Sequence, residues 1–365
     1  MKITRAIDIS IAQPKDDEAI GRFFSQVPMD GAVRLSFERR PSFLEAAQYG
    51  HHFSQVVVGK DHSTGEILGM ASRAVRARFV NGEAVDIGYL GSLRLHESRR
   101  GNIFLARGYQ FLQQLHADGK VKAYISTVME DNHQALAILT SRRAGLPTYQ
   151  DLGCFLTCVL GTHSSQMHKG NGFRVEPAAE HDRPMVVAFL NHCGAKRQFY
   201  PVAGLDAREW NMEDMVLVFR GNVLAGCAAL DDAGKGKQIA IHGYSTGFRM
   251  VRSLWNRFMG PWGWPTWPEA GTDLSFSFVS QMAMDTADPA VLSMLIGELQ
   301  RKAHAKGLAY LLLGFHEQDP LWLLFKSRYR FVQMKSRLFL VYWEDGKSLA
   351  KQLDARPPYV ELSTL

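Results

Sequence analysis

Two arginines and a glycine carry the first chemistry that the sequence offers. They lie in the turn Glu97-Ser98-Arg99-Arg100-Gly101-Asn102, and the residues that follow place Leu105, Tyr109, Leu112 and Leu115 at the 3.6-residue spacing of one helix face. A basic turn that opens a helix gathers free backbone N–H groups, the positive end of the helix dipole and two guanidinium groups. That is a site for phosphate. Just upstream, Ile87, Tyr89, Leu93 and Leu95 alternate with small or polar residues, as in a half-buried strand. The turn therefore joins a strand to a helix. A second strand-like run, Ala123 to Met129, leads into Asn132-His133-Gln134-Ala135 and another helical stretch. Asn132 suits an N-cap, because its side chain accepts from first-turn N–H groups.

The string Leu93-Arg94-Leu95, the Arg100-Gly101 turn and the helix after it resemble the acyl-CoA-binding strand, pyrophosphate loop and helix of the GNAT N-acetyltransferase superfamily. In that superfamily the loop reads R-x-x-G-x-G or a close variant, and an N-x-x-A element, matched here by Asn132 and Ala135, opens the next helix. The resemblance implies that the backbone of Leu93, Arg94 and Leu95 holds the pantetheine arm and polarises the thioester carbonyl. It implies further that Arg99, Arg100, Gly101, Asn102 and Ile103 surround the pyrophosphate, and that Asn132 and Ala135 border the thioester. Ile103 stands where a second glycine is expected. The tyrosine that often serves as general acid falls at Leu139 or, with two residues gapped, at Ser141, which is carried as the catalytic candidate there. The attacking amine must lose a proton. Asp86, before the coenzyme strand, is the candidate base, with Glu83, Glu130, Asp131 and His133 the other titratable groups at these strand ends.

Several elements must position these groups, and the 365 residues provide chain for two domains. The sequence repeats itself weakly. Asp17 to Phe24 and Asp182 to Leu190 are acidic-capped helical stretches; Val56-Val57-Val58-Gly59 with ILGMASRA is echoed by Val216-Leu217-Val218-Phe219 with VLAGCAAL; Ala123-Tyr124-Ile125 is echoed by Ala309-Tyr310-Leu311. The expected fold is α/β: two tandem GNAT-like domains, each a mixed, mostly antiparallel sheet with a splayed central strand pair flanked by helices. Boundaries are set at 1–160, a linker at 161–172 (GTHSSQMHKGNG), and 173–365. The whole pattern resembles a class of bacterial tandem GNAT proteins.

In the second half, Thr286-Ala287-Asp288-Pro289 replaces the basic turn. Asp288 would repel a pyrophosphate, whereas Asp-Pro is a good helix start. Acyl-CoA binding is thus expected in the first half only. His316, Glu317 and Asp319 end the equivalent strand and could face the same cleft. The segment from Gly243 to Gly271 interleaves Trp255, Trp262, Trp264 and Trp267 with arginines, and is expected to be a proline-rich loop pinned by its tryptophans, with an aromatic lid or a membrane-facing patch as the sharper alternative.

Net charge +6 without a lysine or arginine run favours a small anionic partner such as a coenzyme over DNA. The four cysteines lack a C-x-x-C pair, so no disulfide framework or metal site is expected. The chain opens without a signal-peptide core, and no apolar run reaches membrane-spanning length, so a cytoplasmic protein is expected. The expected function is transfer of an acetyl or other acyl group from acyl-CoA to an amine of a small molecule, sugar or peptide. The alternatives are a donor carried by acyl-carrier protein or aminoacyl-tRNA, and an inactive ligand-binding tandem.

Overall fold

The computed structural model describes residues 7–26, 33–96, 102–143, 145–163, 172–205, 211–231, 236–259, 262 and 264–365, with backbone alone at 102 and 103. The first half runs β1 (Ile7–Ile11), α1 (Asp17–Gln26), β2 (Val33–Glu38), α2 (Phe43–Gln48), β3 (Phe53–Asp61), β4 (Ile67–Val80), β5 (Glu83–Leu95), α3 (Asn102–His116), β6 (Tyr124–Met129), α4 (His133–Leu139) and β7 (Thr148–Gly161). The second runs β8 (Phe173–Pro177), α5 (Arg183–Gly194), β9 (Met215–Arg220), β10 (Val223–Asp231), β11 (Gln238–Tyr244), α6 (Thr246–Met259), β12 (Phe276–Met284), α7 (Pro289–Ala305), β13 (Tyr310–His316), α8 (Pro320–Arg328), β14 (Val332–Tyr342) and α9 (Lys347–Gln352).

Twelve strands form one sheet in the order β1-β3-β4-β5-β6-β14-β7-β13-β12-β10-β9-β8. The order is symmetric about its centre. Each half's last strand lies in the other half's territory: β14 pairs with β6 of the first half, β7 pairs with β13 of the second, and β7 and β14 pair with each other. All pairings are antiparallel except β5 with β6 and β12 with β13. These two parallel pairs are short. β5 and β6 are in register only at Gly88↔Tyr124 and Tyr89↔Ile125, and β12 and β13 only over Phe276–Phe278, after which each pair splays apart.

The repeat is also visible in backbone detail. Ser92 in β5 and Gln281 in β12 both adopt φ 54°, an uncommon conformation for a residue with a side chain, and each sits at a β-bulge against the preceding strand. Gly69 and Gly226, one residue before the bulge partners Met70 and Cys227, lie beneath α3 and α7 respectively. A Cβ on Gly69 would stand 2.5 Å from the Phe104 ring, and one on Gly226 would stand 2.7 Å from Val291. In the first half Gly59 pairs directly with Gly69, and its Cβ would also meet Phe104 at 2.5 Å. This cross-strand glycine pair lets α3 approach the sheet closely. Arg73, wholly buried on β4, then anchors the other end of α3: its guanidinium donates to the Leu115 carbonyl at 2.8 Å and to both oxygens of Asp118 at 2.7 and 2.9 Å.

Each half carries one strand–helix insertion, β2-α2 and β11-α6, and the two inserted strands pair antiparallel as a separate ribbon. α6 has two apolar faces. One is pinned: Trp255 Nε1 donates to Pro265 O at 3.0 Å, and Asn256 exchanges hydrogen bonds of 2.8 Å with the Trp267 backbone in both directions. The other, Met250, Val251, Leu254 and Phe258, is exposed, as is Trp262. Trp255 and Trp267 therefore pin this segment as expected, but Thr246–Met259 within it is a helix rather than a loop, and Trp262 is exposed. Among the described residues no helix is long and apolar enough to cross a membrane.

The C-terminal segment closes the fold over the buried arginines of β4. His51 is buried, donates from Nε2 to Thr364 O at 3.2 Å, and is held well below its usual pKa of 6.5 by burial and by the Arg78 and Arg76 charges. Below about pH 6.5 the unfolded chain binds a proton there that the folded chain does not. Stability is therefore lost as pH falls through that window. In urea titrations between pH 6.5 and 5, the wild type is expected to lose about 1 kcal/mol per pH unit more than His51→Gln. Equal slopes would show that the folded imidazole takes up the proton.

Candidate active site

The splay between β5 and β6 opens a cavity of about 340 Å³. Side-chain alternation along β5 gives it two chemically different walls. Leu93 and Leu95 pack with Leu105, Tyr109 and Leu112 of α3. Arg94 emerges on the opposite face, beside its cross-strand partner Met70, and its guanidinium lies 5.1 Å from the ring centre of Phe24 in α1. The cavity is lined by residues of both faces, so it passes through the sheet where the strands part.

On the α3 side it meets the residues singled out for coenzyme binding. Leu93, Arg94, Leu95, Asn132 and Ala135 all line it. Asn132 caps α4, its Oδ1 accepting from Ala135 N at 3.1 Å. Arg99, Arg100 and Gly101 lie outside the described residues; Asn102 and Ile103 form the first turn of α3. Two tyrosines missed by sequence reasoning also line this side. Tyr109 and Tyr149 share a hydroxyl–hydroxyl hydrogen bond of 2.6 Å and pack around Leu139, the place where the tyrosine was expected. Burial raises both phenols, Tyr149 to about 12, so both carry their protons at neutral pH. Ser141 instead donates to Ile138 O at 2.6 Å and does not line the cavity.

On the other side the lining includes Phe24, Phe37, Arg39, Arg94, Lys237, Ile239, Phe278, Leu362 and Leu365. These come from both halves and from the end of the described chain. Arg39 stacks 4.8 Å from the ring centre of Phe43, and burial brings its guanidinium down to about 10. Lys237 donates to the Leu365 main-chain oxygen and is held well below the usual lysine range, first by burial and then by the Arg39 charge. Tyr89 Oη reaches across the splay to within 3.4 Å of Thr127 Oγ1. Among the described residues no aspartate, glutamate or histidine lines the cavity.

Asp86 is placed elsewhere. It precedes the paired segment Gly88–Tyr89, on the closed side of the splay, is about half exposed and lies 3.7 Å from His52. Seven residue steps of strand separate it from Leu93, about 23 Å at 3.3 Å per residue. The structure does not bring it to the cavity.

In the second half the corresponding bulge is covered by the C-terminal segment. The bulge N–H, at Gln281, donates at 3.0 Å to Glu361 Oε2, a fully buried carboxylate. At Ser92 in the first half no described side chain takes that role. Asp288 caps α7, accepting from Ala290 N at 2.8 Å and pairing with Arg220 at 2.8 Å, and ten residues of α7 are buried. His316, Glu317 and Asp319 are likewise structural. His316 Nε2 donates to Leu152 O at 2.9 Å, Glu317 accepts from Cys154 N at 2.8 Å, and Asp319 caps α8 while pairing with Arg197 at 3.2 Å. Cys154 and Cys158 are buried, and burial pushes the Cys158 thiol up to about 12.

A mostly antiparallel sheet with a splayed parallel pair, a bulge at the splay and flanking helices, present twice, is the fold of the GNAT superfamily. Solved structures agree. The chain superimposes on N-myristoyltransferase from Saccharomyces cerevisiae with bound myristoyl-CoA at TM-score 0.59 and 8% identity, covering 94% of this chain and 80% of that one. It matches a GCN5-related glucosamine N-acetyltransferase region of a fungal multi-domain GH3 β-N-acetylglucosaminidase at TM-score 0.62 and 9% identity, over 93% of this chain and 38% of that one. A GCN5-related N-acetyltransferase from Anabaena variabilis matches at TM-score 0.50 and 10% identity, over 92% and 72%. No family model matches the sequence, and no curated protein is detectably similar to it in sequence.

Proposed function

We propose that the chain is an acyl-CoA-dependent N-acyltransferase whose single working site lies in the first half. The observation that carries this is the cavity that crosses the sheet at the β5–β6 splay. It gives a thioester and an amine separate entrances to one meeting point. The donor enters from the α3 side, with its pantetheine along Leu93–Leu95, its thioester beside Asn132 and Ala135, and its pyrophosphate at the turn containing Arg99 and Arg100.

The acceptor enters from the α1 side. Its nitrogen attacks the thioester carbon, the C–S bond breaks, the amide forms, and the proton released from nitrogen passes to a base. With no aspartate, glutamate or histidine on the described lining, the base is Lys237, whose charged form is disfavoured by burial and by the Arg39 charge. Tyr109 and Tyr149 offer protonated hydroxyls to the departing sulfur. The structural neighbours named for myristoyl-CoA and for N-acetyl transfer support a coenzyme A donor and an amine acceptor.

Calorimetric titration with acetyl-CoA and longer acyl-CoAs tests the donor. Micromolar binding that Arg99→Ala/Arg100→Ala weakens by about tenfold or more is expected. If no acyl-CoA binds, coenzyme A is not the donor, and acyl-carrier protein or aminoacyl-tRNA takes its place.

A further inference from the structure

The α1-side wall contains cations without anions. Arg39 and Arg94 flank the same ring, Phe24, at 6.0 and 5.1 Å, and both face the cavity. Among the described residues the Arg39 guanidinium has no hydrogen bond or ion pair, and Arg94 donates only to its neighbour's carbonyl, Leu93 O, at 3.1 Å. The acids nearby are engaged elsewhere. Glu38 pairs with Arg40 at 3.0 Å, Asp231 accepts from the Tyr49 hydroxyl, and Glu361 accepts from Gln281 N and from Tyr359 Oη at 3.1 Å through Oε2 alone; none of the three lines the cavity. Enclosed guanidinium groups without a counter-ion are costly, and the cost is relieved by whatever brings the missing charge. Lys237 apart, the side chains beside them on this wall are apolar, among them Phe24, Phe37, Ile239, Phe278 and Leu362.

We infer that this wall is a carboxylate-binding subsite, and that the acceptor is an apolar α-amino acid held by its carboxylate against Arg39 and Arg94. The identification of the bound molecule as an acceptor rests on the transferase reading above; the subsite itself does not. Two geometric facts favour an α-amine. Arg94 projects from the strand segment proposed to carry the pantetheine, on the face opposite Leu93 and Leu95, so its guanidinium enters the same cavity from the acceptor side. At the splay the cavity also runs from that wall to the α3 side. Two planar forks suit a planar monoanion. A phosphate dianion would call for more donors than two guanidinium groups.

The test pairs turnover with binding. Leucine, leucinamide, 3-methylbutylamine and O-phosphoethanolamine are offered with acetyl-CoA and with a long-chain acyl-CoA, thiol release is followed, and each amine is titrated calorimetrically in parallel. Leucine is expected to exceed leucinamide and 3-methylbutylamine by at least about 30-fold in kcat/KM. Arg39→Met and Arg94→Met should collapse that preference to a few-fold, and Arg39→Met, which still binds acyl-CoA, should also move the pH dependence set by Lys237. Arg39→Lys and Arg94→Lys keep the charge and remove the fork, so they cover the case in which the methionine variants fail to fold; a loss of about tenfold is expected.

Equal use of leucinamide or 3-methylbutylamine would overturn the subsite while leaving acyl transfer intact. A preference for O-phosphoethanolamine would overturn the carboxylate assignment. Leucine binding that depends on Arg39 and Arg94, without thiol release from any donor, would retain the subsite and overturn the transferase reading. Absence of carboxylate preference in both measurements would overturn the subsite.

Discussion

Lys237→Met is expected to lower kcat/KM for acyl transfer by about 100-fold or more while leaving acyl-CoA affinity unchanged. The side chain has the two properties a base here requires. It lines the cavity, and burial beside Arg39 removes the advantage of its charged form, so the free amine exists well below the usual lysine range. Its bond to the Leu365 oxygen uses one N–H and leaves the lone pair for the acceptor's proton. The wild-type kcat/KM should rise with pH through the depressed lysine pKa and then level, because the neutral form is the active one. The methionine variant should lack that rise. Asp86→Asn supplies the comparison: half exposed and on the closed side of the splay, it should change the rate by less than about threefold. Loss of the pH-dependent limb in the asparagine variant, with the methionine variant unaffected, would return the role of base to Asp86.

The second large effect concerns the pivot of the splay. Gly88→Val is expected to destabilise the protein by about 3 kcal/mol, read as a shift in the urea midpoint at constant m-value, and to weaken acyl-CoA binding. Gly88 faces Tyr124 across the shortest parallel pairing in the sheet, and a Cβ at this position would stand 2.0 Å from the tyrosine ring. The ring has nowhere to go. Tyr124 is fully buried, its hydroxyl is 3.0 Å from His116 Nδ1, and its ring packs edge-on against Trp343. β5 must then move away from β6, which alters the gap into which the thioester fits. A variant as stable as the wild type with unchanged acyl-CoA affinity would show that the pair tolerates separation.

The local grammar of the site was legible in the sequence. Asn132 and Asp288 declare helix starts because an Asx side chain can satisfy only the N–H groups one turn ahead of it, and both do so. Alternation along Ile87 to Leu95 gives the strand, and the repeated strand pairs give the doubled order of elements. Charge on a strand was less transparent. Arg73, Arg76 and Arg78 carry no local mark of burial, yet all three are buried, with Arg73 tying α3 to the sheet and Arg78 donating to Phe199 O at 3.0 Å. Tyr109 read as one apolar position on a helix, and nothing local marks the Tyr149 hydroxyl that meets it.

Periodicity, capping and the weak repeat thus determined the strands and helices shared by the two halves and their order, while the wall formed by Leu93 to Leu95 with Asn132 and Ala135 followed from the resemblance to the GNAT superfamily. The tertiary structure alone decided the exchange of β7 and β14 and the pairing of β2 with β11. Arg40 and Gln238, 198 residues apart, exchange backbone–side-chain hydrogen bonds of 2.9 and 3.2 Å in that ribbon. The same pairing brings Lys237 to Arg39. The physical reason is that a strand's own pattern fixes which face it buries, whereas its partner is selected by the packing of the whole chain. The acceptor side of the cavity is assembled from such long-range choices.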